Sequence, residues 1–202
     1  VGSPNLVPFV TRNRETLACD AVVISDSSMF ADDLPSLLFS LRGLAYFEIH
    51  VRGPGGDLHS GTYGGAVVNP GNVLAQLVAS LKNDDGSVAI PGFYEDVISW
   101  DAETRRAIQE LPFSAEDFRA EVGAPGLNGE SGFSLLERLW LRPTCDVNGM
   151  LCGYTGEGAK TVLPAHAMAK VSFRLVPDQN PARAGNLLRA YLSDIAPPEV
   201  EV

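Results

Sequence analysis

The chain has 202 residues, of which 45% are apolar and 20% are charged, as in globular proteins and unlike disordered chains. Its formal net charge is −10, from 25 acidic and 15 basic side chains, and no cluster of lysines and arginines marks a surface for phosphates. This balance argues against nucleic acids and anionic membranes as partners.

The three cysteines, Cys19, Cys145 and Cys152, are odd in number and have no CxxC spacing. They therefore predict neither a disulfide framework nor a structural zinc site, and a reducing cytoplasm fits them best. No apolar run approaches the roughly 20 residues that cross a bilayer.

The first 41 residues contain a short apolar helix followed by an unbroken apolar run over residues 21–25. Such a run predicts a strand buried on both faces, as in a parallel sheet covered by helices. The rest of the chain offers this strand no parallel partner. Residues 1–41 are therefore interpreted as a truncated strip of an α/β catalytic domain.

From residue 44 onward the pattern changes to that of a half-exposed antiparallel sheet. Residues 44–52 end in strict alternation, with Phe47, Ile49 and Val51 on one face, and residues 72–81 have the spacing of an amphipathic helix. The later elements, in chain order, are an insertion at about 87–143 with helical patches at 101–111, 114–122 and 131–141, strands over 146–154 and 166–176, a helix over 181–195 and a last strand over 199–202. The order β-α-(insertion)-β-β-α-β predicts an α+β, ferredoxin-like fold with helices on one face of the sheet.

His59 is the strongest candidate for a functional side chain. It lies in a loop rich in glycine, between Gly53 and Gly65, and glycines permit the backbone to approach another molecule closely. A histidine in such a loop is suited to donate a hydrogen bond to an oxyanion or a carboxylate. The alternative is a histidine that only caps a turn.

Asp26 and Arg174 are further candidates, and the sequence pattern around each also fits a structural role, which for Asp26 it favours. Asp26 follows the predicted buried strand, at the end where open α/β sheets bind ligands and metals, but it also fits a turn or helix cap. Arg174 lies within a predicted strand, where its planar guanidinium could bind a carboxylate or simply face outward. His50, on the exposed strand face, and His166, expected in a loop, are interpreted as structural.

Five short segments occur in one order along the chain. They are Val23-Ile24-Ser25-Asp26, Leu41-Arg42-Gly43, DLHSGTYGG over residues 57–65, GEGAKTVLP over residues 156–164, and Phe173-Arg174-Leu175-Val176-Pro177. With these segments the chain resembles the dinuclear zinc aminoacylase and dipeptidase family, which includes carnosine dipeptidases, acetylornithine deacetylase and succinyl-diaminopimelate desuccinylase. The resemblance to the carnosine dipeptidase branch covers nearly the whole chain.

The resemblance implies a role for each candidate residue. Asp26 matches a carboxylate that ligates one of two zinc ions. His59 matches the lid histidine that reaches into the partner subunit's active site and stabilises the tetrahedral intermediate. Thr161 matches a second lid residue that contacts substrate across the dimer, and Arg174 matches the arginine that holds the substrate's terminal carboxylate.

Most of the family's metal ligands have no counterpart in this sequence. The His-x-Asp pair, the bridging aspartate, the Glu-Glu pair and the distal histidine are all missing, and the resemblance implies that the chain begins just after the Glu-Glu pair. A catalytic zinc normally needs three protein ligands and an open position for water. The isolated chain is therefore expected to bind no zinc and to be inactive.

The sequence thus predicts the dimerisation (lid) domain of a zinc-dependent, dipeptidase-type metallopeptidase over residues 42–202. The expected partners are a second copy of the chain and a dipeptide or N-acyl amino acid substrate. The alternative is a non-catalytic ferredoxin-like binding or assembly module, in which the histidine loop serves only as an interface.

Overall fold

The computed structural model describes residues 3–23, 29–38 and 40–202, and the chain divides into two compact units, Val1–Phe39 and Ser40–Val202. The first unit contains helix α1, Leu6–Arg12. The buried strand predicted over residues 21–25 is not found in its described part, since residues 21–23 form no strand and the Val23 side chain is 90% exposed. Within the described part of this unit no neighbouring strand is available to pair with this backbone. Residues 24 and 25 and the predicted metal ligand Asp26 lie outside the described residues.

The second unit contains the remaining helices and all the named strands. The helices are α2 Ser60–Tyr63, α3 Pro70–Ala79, α4 Ala102–Gln109, α5 Ala115–Glu121, α6 Leu135–Trp140 and α7 Pro181–Ile195, and the strands are β1 Gly43–Arg52, β2 Leu58–His59, β3 Thr144–Cys152, β4 Val162–Leu163 and β5 His166–Leu175. None of the helices in the described ranges is both long and apolar enough to cross a membrane.

The main sheet is antiparallel, in the order β1-β5-β3, so that β5 is its central strand. Glu201 forms a single bridge with Arg52 on the free side of β1, which places the chain's end where a fourth strand of a ferredoxin-like sheet belongs. The predicted ferredoxin-like plan is confirmed. The last predicted strand, over residues 199–202, is reduced to this one bridge, and His166 is the first residue of β5 rather than a loop residue.

Helices α3 and α7 cover one face of the sheet and leave the other face open. The covered face buries Val51, Val171 and Phe173 completely, as the alternation in β1 and β5 requires. Leu74 of α3 and Leu188 of α7 pack into the same core. The open face therefore carries the polar side chains of the sheet, which leaves them available for binding.

The insertion between α3 and β3 holds helices α4, α5 and α6, which match the three predicted helical patches. A buried carboxylate, Glu137, joins α6 to α4: it accepts hydrogen bonds from Arg105 Nε at 2.5 Å and from Gln109 Nε2 at 3.3 Å. It also closes the capping box of α6 with Ser134. Burial alone would raise the pKa of Glu137, but the bonds from Arg105, Ser134 and Gln109 outweigh burial and lower it to about 2.

Candidate functional site

His59 lies at the entry to α2, at the N-cap position with an extended backbone. Its Nδ1 atom accepts a hydrogen bond from the backbone N–H of Gly61 at 3.1 Å. A nitrogen that accepts from a backbone N–H carries no proton, so the neutral ring holds its proton on Nε2. The loop therefore presents Nε2–H as a donor on an exposed side chain, and its local geometry fixes the tautomer.

Thr161 lies beside the donor end of the same imidazole. Its Oγ1 is 3.2 Å from His59 Nε2, although 102 positions separate the two residues in the chain. Because Nε2–H donates to this oxygen, the hydroxyl hydrogen of Thr161 remains free to donate to another acceptor. The pair thus offers two donors at one exposed point, which is an arrangement suited to an oxygen that carries negative charge.

A two-residue ladder between β2 and β4 brings His59 and Thr161 together. It pairs His59 with Val162, and Ser60 N donates to Thr161 O at 3.1 Å. The carboxylate of Asp57 accepts from the backbone N–H of Ala165 at 2.9 Å and ties the start of the loop to the same segment. Sequence reasoning missed the ladder and the role of Asp57, because two paired residues carry no periodicity and an Asp in a loop has many uses.

The space around the imidazole depends on glycine at position 61. A Cβ at Gly61 would lie 2.8 Å from His59 Cε1, closer than real Cβ contacts, and 3.1 Å from Nδ1, so the ring would have to move. A hollow of about 360 Å³ opens next to the loop, between Ser60, Leu163 and the start of α3. The glycine content of the loop is therefore explained in part by the need to seat His59.

Arg174 is far from the His59 and Thr161 pair within one chain. It lies on the open face of β5, where its register partners are Leu44 on β1 and Thr144 on β3. The histidine loop joins the sheet at the opposite end of β5, where Gly53 N donates to Ala165 O at 2.9 Å. Arg174 lies eight residue steps along the extended strand from His166, which corresponds to about 26 Å.

His50 and His166 contact each other on the open face of the sheet. His50 Nδ1 is 3.0 Å from His166 Nε2, and His50 Nε2 is 3.2 Å from a carboxylate oxygen of Glu48. Within the described ranges no group of three or more histidine, cysteine, aspartate or glutamate side chains is placed to hold a metal ion. The described residues of this chain therefore do not fit a catalytic zinc site.

The domain is α+β, with helices on one face of the sheet only. The sheet and the histidine loop present side chains at the surface rather than enclosing a reaction centre. Residues 39–200 match the family described as the peptidase dimerisation domain of M20 peptidases, and the chain belongs to this family.

Similar proteins include several dipeptidases. The chain is 32% identical over 174 residues to the Cys-Gly metallodipeptidase DUG1 of Candida albicans, covering 86% of the chain and 36% of that protein. It is 28% identical over 196 residues to the human Beta-Ala-His dipeptidase, covering 96% of the chain and 39% of that protein. The chain thus spans well under half the length of these relatives.

Solved structures of peptidases are also similar to this chain. The M20 family metallo-carboxypeptidase Sso-CP2 of Sulfolobus solfataricus is similar with a TM-score of 0.80 at 34% identity, over 94% of this chain and 50% of that one. The dipeptidase Dug1p of Saccharomyces cerevisiae also gives a TM-score of 0.80, at 30% identity, over 98% of this chain and 42% of that one. All of these relatives are named as peptidases, and the DUG1 protein and Sso-CP2 are named as metal-dependent ones, so the domain belongs to a family of hydrolases.

Proposed function

We propose that the chain is the lid and dimerisation part of a zinc-dependent, dipeptidase-type metallopeptidase that hydrolyses peptide or amide bonds as a homodimer. In this proposal His59 and Thr161 act on a substrate held by the partner subunit, and Arg174 binds the terminal carboxylate of a dipeptide or N-acyl amino acid. Asp26 is the residue of this chain that contributes to a zinc site. The metallodipeptidases among the relatives support this function.

The geometry of the His59 and Thr161 pair supports a role in stabilising an oxyanion. Hydrolysis of an amide passes through a tetrahedral intermediate whose oxygen becomes negatively charged. His59 Nε2–H is already oriented by the bond from Gly61, so the imidazole does not have to reorient when the charge develops. A substrate oxygen at this point accepts from Nε2–H in place of Thr161 Oγ1, and the threonine hydroxyl then provides a second donor.

The separation of this pair from Arg174 is the observation that carries the homodimer proposal. A dipeptide is much shorter than the span of about 26 Å between the two ends of β5, so one chain cannot offer both groups to one substrate. Two chains related by a two-fold axis can do so, because each then gives its histidine to the other's site. The same symmetry makes two equivalent sites in each dimer.

Complementation between two inactive variants tests this arrangement. His59→Ala and Arg174→Gln subunits of the full-length protein are given different tags, co-expressed and purified as the heterodimer. One of its two sites then has both residues intact, so we expect about half the wild-type activity, whereas each homodimer is nearly inactive. A heterodimer of two differently tagged His59→Ala subunits is the matched control. Activity of the mixed dimer no higher than that of the control refutes the cross-subunit role.

We further propose that the 202-residue chain is inactive alone, because a catalytic zinc normally needs three protein ligands. The chain and the full-length protein are compared with zinc and the same dipeptide. Turnover by the chain at the full-length rate overturns this part of the proposal.

The cysteines support a reducing location. Cys19, Cys145 and Cys152 are all free, and burial raises the pKa of Cys145 to about 12, so this thiol stays protonated and unreactive. We propose the cytoplasm as the compartment.

A further inference from the structure

A cleft of about 400 Å³ lies beside Arg174, between the start of β3 and the insertion. Its lining includes five cationic side chains and two carboxylates, which leaves a local net charge of +3. The chain as a whole carries a net charge of −10, so this concentration of positive charge is unlike the rest of the molecule. Its volume suits a ligand of the size of an amino acid or dipeptide.

Both carboxylates of the cleft already have cationic partners. Glu130 forms an ion pair with Arg142, and their side chains are only 12% and 14% exposed. Arg142 Nε donates to Glu130 at 2.9 Å and the guanidinium forms a second, shorter bond, so the contact is bidentate. Asp146 lies 3.9 Å from Lys82. These pairs leave three arginines of the lining to be explained.

The three arginines are Arg42, Arg138 and Arg174, and none of them forms an ion pair with a carboxylate of the described residues. Arg138 Nε is buried and has no hydrogen-bond partner among those residues. Burial lowers the pKa of Arg42, and the charge of Arg174 lowers it further while Asp146 opposes both. Like charges and an unsatisfied buried donor are unfavourable, and an anion in the cleft relieves both.

We propose that this cleft binds two carboxylates of one ligand, the first at Arg174 and the second at Arg42 and Arg138. This assigns the substrate class as dipeptides or N-acyl amino acids whose C-terminal residue has an acidic side chain. The inference rests on the proposed function for the role of Arg174. Guanidinium groups match planar carboxylates through paired N–H donors, and a single terminal carboxylate leaves the other two arginines without a counter-ion.

Calorimetric titration of the chain with glutarate and butyrate tests the inference without turnover. Glutarate has the two carboxylates of a glutamate side chain and terminus, and butyrate has one carboxylate. We expect glutarate to bind at least tenfold more tightly. Arg42→Gln and Arg138→Gln should each reduce this preference severalfold, Arg174→Gln should weaken both ligands, and Arg189→Gln, on the exposed surface of α7, should change neither.

Equal affinity for the two ligands, or an equal loss of preference with Arg189→Gln, overturns the inference. Arg42→Lys and Arg138→Lys keep the charge and serve where a glutamine variant fails to fold; their preference for glutarate should be intermediate. In the full-length protein, peptides ending in Glu should have a higher kcat/KM than those ending in Gln, and Arg42→Gln should remove the difference. If the full-length protein hydrolyses neither peptide, the proposed function fails, whereas the titration still decides whether the cleft binds a dicarboxylate.

Discussion

Replacing Gly61 by alanine should displace the His59 ring without disturbing the fold. The new Cβ would lie 2.8 Å from Cε1, and ordinary contacts begin at 3.4 Å, so the ring must move by about 0.6 Å. The contact is with the end of a side chain, which can swing away, and glycine to alanine within a helix is otherwise favourable by about 0.5–1 kcal/mol. A well-placed oxyanion donor is worth about 10²–10³ in kcat, and misplacement by about 1 Å can cost about 10²-fold. We therefore expect kcat to fall by roughly 10- to 100-fold, with little change in KM.

The assay is dipeptide hydrolysis by the zinc-loaded full-length protein, with thermal unfolding measured on the same samples. Gly56→Ala is the matched control, because a Cβ at Gly56 meets no atom within 4 Å and the position belongs to the same loop. His59→Ala gives the lower limit of activity. A Gly61→Ala enzyme with wild-type kcat, or an equal loss in the Gly56→Ala enzyme, refutes the link between ring position and catalysis.

Three other predictions concern contacts at the site and in the insertion. Thr161→Val removes the hydroxyl that lies 3.2 Å from His59 Nε2. The kcat of the full-length protein should fall by about fivefold, as expected for the loss of one hydrogen bond. An unchanged kcat contradicts the proposed role of Thr161 as a second donor. Glu137→Gln leaves Arg105 without its counter-ion and should lower the free energy of unfolding in urea by about 2 kcal/mol at pH 7, whereas Glu116→Gln, on the exposed face of α5, should have little effect. The folded-state pKa of Glu137 is about 2, below its ordinary value, so the stability that the Glu137 carboxylate contributes is present above about pH 4.5 and is lost as the pH falls towards 2. The stability difference between wild type and Glu137→Gln should therefore shrink over this range. A difference that stays constant contradicts the lowered pKa of Glu137.

Most of the fold follows from local patterns in the sequence. The helix predicted over residues 181–195 coincides with α7, and the alternation of Phe47, Ile49 and Val51 predicts which face of β1 is covered. Hydrophobic periodicity reports burial, so long elements that pack on the core are visible in the sequence itself. Strand ends differ by one or two residues, because the pattern fades where side chains leave the core.

The elements that sequence patterns predict wrongly or miss are those that form by hydrogen bonding between strands rather than by burial of side chains. Alternation over residues 199–202 predicts a strand, yet only Glu201 bridges to Arg52. The ladder of β2 and β4 has two residues in each strand, too few to show a period. The apolar run at residues 21–23 lies outside any strand in the structure, since a buried strand needs neighbours that the described part of its unit does not contain.

The candidate site, like the fold, contains residues that a local sequence pattern marks and residues that only the folded chain brings together. The glycine-rich loop marks His59 by composition, and position in the predicted strands marks Asp26 and Arg174 as candidates for a metal and a carboxylate. Thr161 is singled out only by the family resemblance, which also decides between the functional and structural roles of Asp26 and Arg174. Of the other arginines of the cleft, sequence reasoning gave Arg42 no role beyond its place in the Leu41-Arg42-Gly43 segment and missed Arg138, because the two come from segments almost a hundred residues apart.

The cleft is positively charged whereas the whole chain is negatively charged, and these two charges act on different steps of the binding of an anionic ligand. A net charge of −10 repels a dicarboxylate at long range, but at physiological ionic strength exposed charges act over only about 8 Å. Within that distance the arginines of the cleft dominate, and their partial burial weakens screening by salt and water. The acidic surface therefore slows the approach of an anionic substrate, whereas the cleft determines how tightly it is held. Neutralising surface carboxylates should consequently change association rates, and removing Arg42 or Arg138 should change dissociation rates.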